Sequence, residues 1–224
     1  MITSVDDAKI RIAKRIAHEF DNCNDITFVN VGVGIPSLVV NYISNPNVVI
    51  HSENGMLGVG PHAEGSDIDF NLINASRQHV TLTEGCSFMD SAASFAMIRG
   101  GHIDACVIGA FEVDQYGNVS NWIIPSGKKL GVGGAMDLVS GSKRVIIAMR
   151  HTGKDGSIKI KKKCSLPITA YGKVDLLVTE LAVFKFYYGK MYLCEIAADT
   201  SIDYIKSITE AEFEVCEPLK TIRL

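Results

Sequence analysis

Residues 50 to 60 read IHSENGMLGVG, which sets the charged side chain of Glu53 directly after an apolar run and before an Asn-Gly pair. Such a carboxylate has two readings. It can mark a solvated turn, because Asn54 and Gly55 tolerate positive φ and carboxylates usually face water. It can also be a nucleophile that attacks an activated acyl carbon, becomes an acyl group itself, and is regenerated without consuming a nucleotide. Aspartate would offer similar chemistry with a shorter reach.

Two glycine-rich segments could frame that chemistry. In NVGVGIP, Asn30 to Pro36, the glycines Gly32 and Gly34 allow backbone amides to approach a ligand where bulky side chains would obstruct it. Ser37 stands where the third glycine of a dinucleotide fingerprint would fall, which argues against an NAD site, and a tight strand-to-helix connection explains the segment equally well. The second segment, SGKKLGVGGAMDL at 126 to 138, supplies Gly127, Gly131, Gly133 and Gly134 beside Lys128 and Lys129. It reads either as a cradle for a phosphate-bearing ligand or as a surface loop with solvated lysines, and it contains no Walker lysine motif. His51, Ser52 and Glu53 are adjacent in sequence, an arrangement unsuited to a spatial hydrolase triad, and there is no GxSxG elbow. The six histidines show no HExxH or paired metal spacing, so no metal site is expected.

These residues need elements to position them. Ile12, Ile16 and Phe20, with Ala13 and Ala17, recur on one face of an N-terminal helix that Ser4 and Asp7 would open. The run ITFVNVGV, 26 to 33, reads as a buried strand followed by a helix near Pro36. Further strands are expected at 48 to 51, 105 to 113, 144 to 149 and 176 to 184, with a close-packed helix in DSAASFAMIRGG, 90 to 101. A hairpin around Tyr188, Gly189 and Lys190 and a helix from near Thr200 complete the pattern. Near-continuous apolar strands alternating with helices predict an α/β fold, a mostly parallel sheet flanked by helices, in a single domain over 1–224.

Composition bounds the partners. With 47% hydrophobic and 21% charged residues in 224, the chain has enough apolar side chains for a substantial core. A formal net charge of −3 provides no basic field for a nucleic-acid backbone. The N-terminus is charged and amphipathic, and no apolar run approaches membrane-spanning length, so a soluble cytoplasmic protein is expected. Cys23, Cys86, Cys106, Cys164, Cys194 and Cys216 are widely spaced without a CxxC pair, which predicts reduced thiols.

Taken in order, GVGIP, SENGMLGVGP, FNLINAS, SFMDSAASFAMIRGGHID, GNVSNWIIP, GVGGAMDLVSGSKRVIIAMRHT and KCSLPIT cover most of residues 26 to 184. In that order the motifs resemble the family I coenzyme A transferases, specifically the B (beta) subunit of bacterial 3-oxoacid or acetate/acetoacetate CoA-transferases. The resemblance implies the NagB/RpiA/CoA-transferase-like fold and makes Glu53, the glutamate of SENG, the nucleophile that forms an acyl-glutamyl anhydride and then a glutamyl-CoA thioester. It also implies that Gly133 and Gly134 are oxyanion candidates and that Gly32 and Gly34 shape the pocket. Gly131 joins them as a CoA-binding candidate. Asn30 and Asn54 are candidate hydrogen-bonding residues near the glutamate, although Asn54 equally suits a simple turn. Relatives often carry a Gly-Lys pair directly after the proline of NWIIP, whereas here Ser126 intervenes before Gly127 and Lys128, which puts a Lys128 contact with CoA phosphate in doubt. Ile50 and His51 replace the commoner Leu and Gln, and His51 is read as structural.

By the same resemblance, the partner is a separate A (alpha) subunit in an αβ unit, often doubled to α2β2. The substrates are acyl-CoA and short-chain carboxylates such as acetate, acetoacetate, butyrate or succinate. CoA is a cosubstrate, and no tightly bound cofactor or metal is required. The competing reading is a noncatalytic acyl-CoA or sugar-phosphate binding subunit of related fold, because a Gly-rich α/β scaffold can keep a pocket after losing its chemistry.

Overall fold

The computed structural model describes residues 5–124 and 126–224. Helix α1, Val5–Ala17, carries Asp6 and Asp7 in its first turn, where they complement the helix dipole, and buries Ile12, Ala13, Ile16 and Ala17 on one face. Ser4, the expected opening of this helix, lies outside the described residues. The chain then runs through β1 (Thr27–Val31), a 3₁₀ helix at Pro36–Tyr42, β2 (Val48–Ser52), β3 (Met56–His62), β4 (Val80–Phe88) and α2 (Ser91–Arg99). The middle contains β5 (Ala105–Ile108), β6 (Glu112–Asp114), β7 (Val119–Ser120), α3 (Ala135–Gly141), β8 (Val145–Ala148) and β9 (Ile160–Lys161). It ends with β10 (Leu176–Val178), β11 (Ala182–Tyr187), β12 (Lys190–Ile196), α4 (Ile202–Ser207) and β13 (Glu214–Thr221).

Among the described residues, ten strands form one sheet in the order β13-β12-β11-β10-β8-β5-β1-β2-β3-β4, and β7-β6-β9 form a small second sheet. The centre, β10-β8-β5-β1-β2, is parallel throughout, and antiparallel pairs extend it on both sides. The expected α/β class is therefore the observed one. Both faces of the centre are covered, which explains why β5, β8 and β10 are apolar at every position, whereas β1 and β2 carry the polar Asn30, His51 and Ser52 toward their carboxyl ends. Val145, Ile147 and Leu177 join the core that includes Ile98, Leu138 and Ile205 of α2, α3 and α4. Their neighbours Ile146, Ala148, Leu176 and Val178 join the opposite core, beneath α1 and Val39.

Several local expectations are corrected. The run 105–113 is two strands in two sheets, because the chain leaves the main sheet after Ile108. The run 176–184 folds back on itself: Thr179 Oγ1 accepts the Leu181 and Ala182 amides, and this tight turn makes β10 and β11 antiparallel. The helix expected near Pro36 is a 3₁₀ helix. The β3–β4 pair and β13 have no counterpart in the sequence expectations. Cys194 and Cys216 form a disulfide rather than two thiols, because parallel pairing of β12 and β13 brings them together. The hairpin at Tyr188 and Gly189 is as expected, with both residues at positive φ, 53° and 71°.

One glycine positions the SENG segment. Gly55 has φ +118°, and a Cβ there would stand 2.1 Å from the Met89 carbonyl oxygen. The Met89 amide in turn donates to the Gly55 carbonyl at 2.9 Å. Neither the backbone conformation nor the space admits a side chain. Gly55→Ala is expected to lower unfolding free energy by about 3 kcal/mol or more, and denaturant titration measures it. A change under about 0.5 kcal/mol, the usual range of surface substitutions, would contradict this packing.

Candidate active site

The five parallel strands end at one edge of the sheet, and β1 has β2 on one side and β5 on the other. A crevice at such a reversal of strand order, outside the carboxyl ends, is where open α/β sheets bind ligands. Glu53 follows the last residue of β2 there and is half-buried. Asn30 Nδ2, on the adjacent β1, donates to Glu53 Oε2 at 3.2 Å. The same nitrogen reaches the His51 carbonyl at 3.3 Å and His51 Nδ1 at 3.1 Å.

The opposite side of the histidine ring meets α2, where His51 Nε2 lies 2.9 Å from Ser94 Oγ. Ser94 Oγ donates to the Glu53 carbonyl, also at 2.9 Å. Because the hydroxyl has one hydrogen and spends it on that carbonyl, the histidine must supply the Nε2–H, which leaves Nδ1 as acceptor for the Asn30 amide. Asn30, His51 and Ser94 are all fully buried. Burial holds the imidazole neutral, with its pKa pushed down to about 4. Asp90 caps α2 by accepting the Ala93 amide at 2.8 Å, fixing the first turn from which Ser94 projects.

Gly134, which precedes α3, closes one side. A Cβ built on it would lie 3.6 Å from Glu53 Cγ and 3.1 Å from the Phe95 ring, so a side chain at 134 would crowd the carboxylate. Gly131 and Gly133 lie in the exposed turn before it, at φ +89° and +50°. Gly32 packs on β5, its amide donating to the Val107 carbonyl at 2.8 Å, while Gly34 is exposed with open space at its α-carbon. Two of the candidate residues, Asn54 and Lys128, do not join Glu53. Asn54 is exposed and its Nδ2 donates to the Ile73 carbonyl at 2.8 Å, which is the turn role. Lys128 is exposed in a short hairpin, where its carbonyl accepts the Ile124 amide.

Sequence reasoning missed Ser94 and Phe95. Their only signal was a small polar residue and an aromatic inside an otherwise close-packing helix. A cavity of about 300 Å³ lined by Arg11, Ala197, Asp199 and Ile222 lies elsewhere and does not include Glu53.

A half-buried carboxylate held by an amide at the carboxyl edge of a parallel sheet is suited to covalent acyl chemistry. Residues 9–207 match the family described as Coenzyme A transferase, and the chain belongs to that family. It is similar to the beta chain of the acetate CoA-transferase of Escherichia coli K12, 49% identical over 97% of this chain and 98% of that protein. It is also 49% identical to the B subunit of the succinyl-CoA:3-ketoacid coenzyme A transferase of Helicobacter pylori 26695, over 91% of this chain and 97% of that one. An acyl-CoA transferase of Escherichia coli O157:H7, solved as a thioester complex with CoA, superposes with a TM-score of 0.76 at 24% identity. That match covers 96% of this chain and 43% of the other, and shows the shared fold.

The buried histidines set a pH dependence. His51 and His151 both titrate near about 4 in the folded chain, each held down first by burial, and His151 also by the Lys159 charge. The unfolded chain takes up these protons near the ordinary value of about 6.5, so between about 6.5 and 4 it binds more protons than the folded state. Stability is therefore retained above that window and lost as pH falls through it, by about 3 kcal/mol per histidine. His51→Gln is expected to reduce proton uptake on unfolding at pH about 5.5 by about one, read from the pH slope of urea-unfolding free energies. An unchanged slope would show that His51 is already charged in the folded protein.

Proposed function

We propose that this chain is the catalytic-glutamate subunit of a CoA-transferase, one domain over 1–224 that moves CoA between short-chain acyl-CoA and a carboxylic acid. The observation that carries the reading is Glu53 itself: a half-buried carboxylate at the carboxyl end of β2, held by Asn30 and beside Gly134, in a chain of this family. A Glu53 oxygen attacks the thioester carbonyl carbon, the carbon–sulfur bond breaks, and CoA leaves as thiolate with an acyl-glutamyl anhydride behind. The thiolate attacks the glutamyl carbonyl, releasing the first acid as carboxylate and forming a glutamyl-CoA thioester. The acceptor carboxylate then repeats these steps in reverse, and Glu53 is regenerated.

Each addition places negative charge on an oxygen, and a preorganised donor aimed at it contributes about 3 kcal/mol. The Asn30 amide is such a donor, and the backbone amides of Gly133 and Gly134 are the further candidates. The separate A subunit supplies the remaining wall, in an αβ or α2β2 assembly of the cytoplasm, and acetate, acetoacetate, butyrate and succinate are the acids to be screened. Among the described residues no helix is long and apolar enough to cross a membrane. The noncatalytic binding reading finds less support, because a pocket that only binds has no use for a carboxylate kept at its open edge.

Glu53→Gln in the complex with the A subunit is expected to reduce transfer by at least about 10³-fold while acyl-CoA still binds. Hydroxylamine should capture Glu53 as its hydroxamate only when acyl-CoA is supplied. Equal transfer by Glu53→Gln and wild type, or no hydroxamate at 53, would overturn the assignment.

A further inference from the structure

Of the residues that meet at Glu53, Phe95 has no part in the mechanism above. It follows Ser94 on α2, so the helical turn that holds the Glu53 carbonyl through the Ser94 hydroxyl also brings an aromatic ring to the site. The tip of that ring meets Gly134. A Cβ built on the glycine would lie 3.1 Å from Phe95 Cζ and 3.4 Å from Cε1, with Glu53 Cγ 3.6 Å from the same point, so ring, glycine and glutamate converge there. Gly134 has φ −82° and ψ 0°, a conformation in which residues with side chains are found. Space rather than backbone conformation therefore calls for glycine at 134, and the ring sets the tighter limit.

Nothing comparable holds the rest of the turn. Gly131 and Gly133 are exposed, at φ +89° and +50°, and a Cβ on either would meet nothing within 4 Å. Among the described residues, the amides of Gly133 and Gly134 have no hydrogen-bond partner, which leaves both available as donors. Behind the turn, Leu138 and Val139 of α3 are buried, and Arg99 of α2 donates from Nε to Asp137 Oδ1 at 2.7 Å. The Arg99 guanidinium also lies 5.6 Å from the centre of the Phe95 ring. Phe95 is thus packed between Arg99 and Gly134, whereas the turn that its tip touches keeps the freedom of its glycines.

We propose that Phe95 is a positioning residue for acyl transfer, a spacer whose ring sets how closely the Gly133 and Gly134 amides approach Glu53. The role rests on the CoA-transferase reading above, in which those amides stabilise the oxyanion formed at each addition. A misplacement of about 1 Å can cost about a hundredfold in rate, so such a spacer must be right in length in both directions. Leucine at 95 is shorter than the ring and leaves a gap. Tyrosine is longer, because its hydroxyl stands on Cζ, the ring atom nearest Gly134.

The test compares variants in the complex with the A subunit, each rate referred to the amount of Glu53 hydroxamate that acyl-CoA and hydroxylamine yield, so that misfolded chains are not counted. Phe95→Leu and Phe95→Tyr are each expected to lower kcat by about tenfold or more, with the KM of acyl-CoA changed by less than about twofold. Gly134→Ala sets a methyl against the ring and is expected to cost a similar factor alone. Combined with Phe95→Leu, the same methyl fills the gap, and the double variant should retain about tenfold more activity than the product of the two single effects. An unchanged kcat in either variant at 95, an effect confined to KM, or losses at 95 and 134 that simply multiply would each overturn the role of Phe95 and leave that of Glu53 standing. A wild type that yields no hydroxamate at 53 overturns the parent reading and this one with it.

Discussion

Everything at the site depends on holding one carboxylate, that of Glu53, in place at the carboxyl edge of the sheet. Glu53 is tethered twice, its side chain by the Asn30 amide and its backbone carbonyl by the Ser94 hydroxyl. Both tethers meet at the His51 ring, whose two nitrogens must play opposite hydrogen-bonding roles for the set to be consistent. A charged imidazole would turn a donor toward the Asn30 amide and break the arrangement. Full burial of the ring is what prevents this, so the histidine acts by staying neutral.

The sheet explains how such a cluster can be rigid at an open edge. Its central strands are buried on both faces, and their registers place Asn30 opposite His51 in adjacent parallel strands. Glycine then decides what stands above the strand ends. Gly55 lets the chain turn away against the Met89 carbonyl, and Gly134 leaves room beside the carboxylate. A side chain at 55 would strike the Met89 backbone, and one at 134 would crowd the Phe95 ring and Glu53.

The crevice is open at Glu53, and apolar side chains such as Val33 and Phe88 are exposed at 65% and 60%. A wall supplied by a second polypeptide would exclude water from the anhydride proposed above, which hydrolysis would otherwise consume.

By itself the sequence singled out the candidate for the chemistry-bearing residue and determined the class of fold. The SENG glutamate, the glycines around it, and the unbroken apolar strands are local patterns, and local patterns survive without knowledge of what packs on them. Asn30 was legible too, because it lies near the end of a strand, just before a glycine turn. What only the tertiary structure decided are relations between distant segments. Ser94 lies forty-one residues from Glu53 and reaches it through a helix packed across the sheet. Lys159 meets Ala110 across forty-nine residues, and Asn54 turns to Ile73 rather than to its neighbour in sequence. The runs at 105–113 and 176–184 looked like single strands because apolar composition reports burial, whereas the turn at Thr179 and the departure after Ile108 are set by the hydrogen bonds the packed chain makes. Burial can be written in a window of a few residues, but the partner of a hydrogen bond is fixed by where the rest of the chain comes to lie.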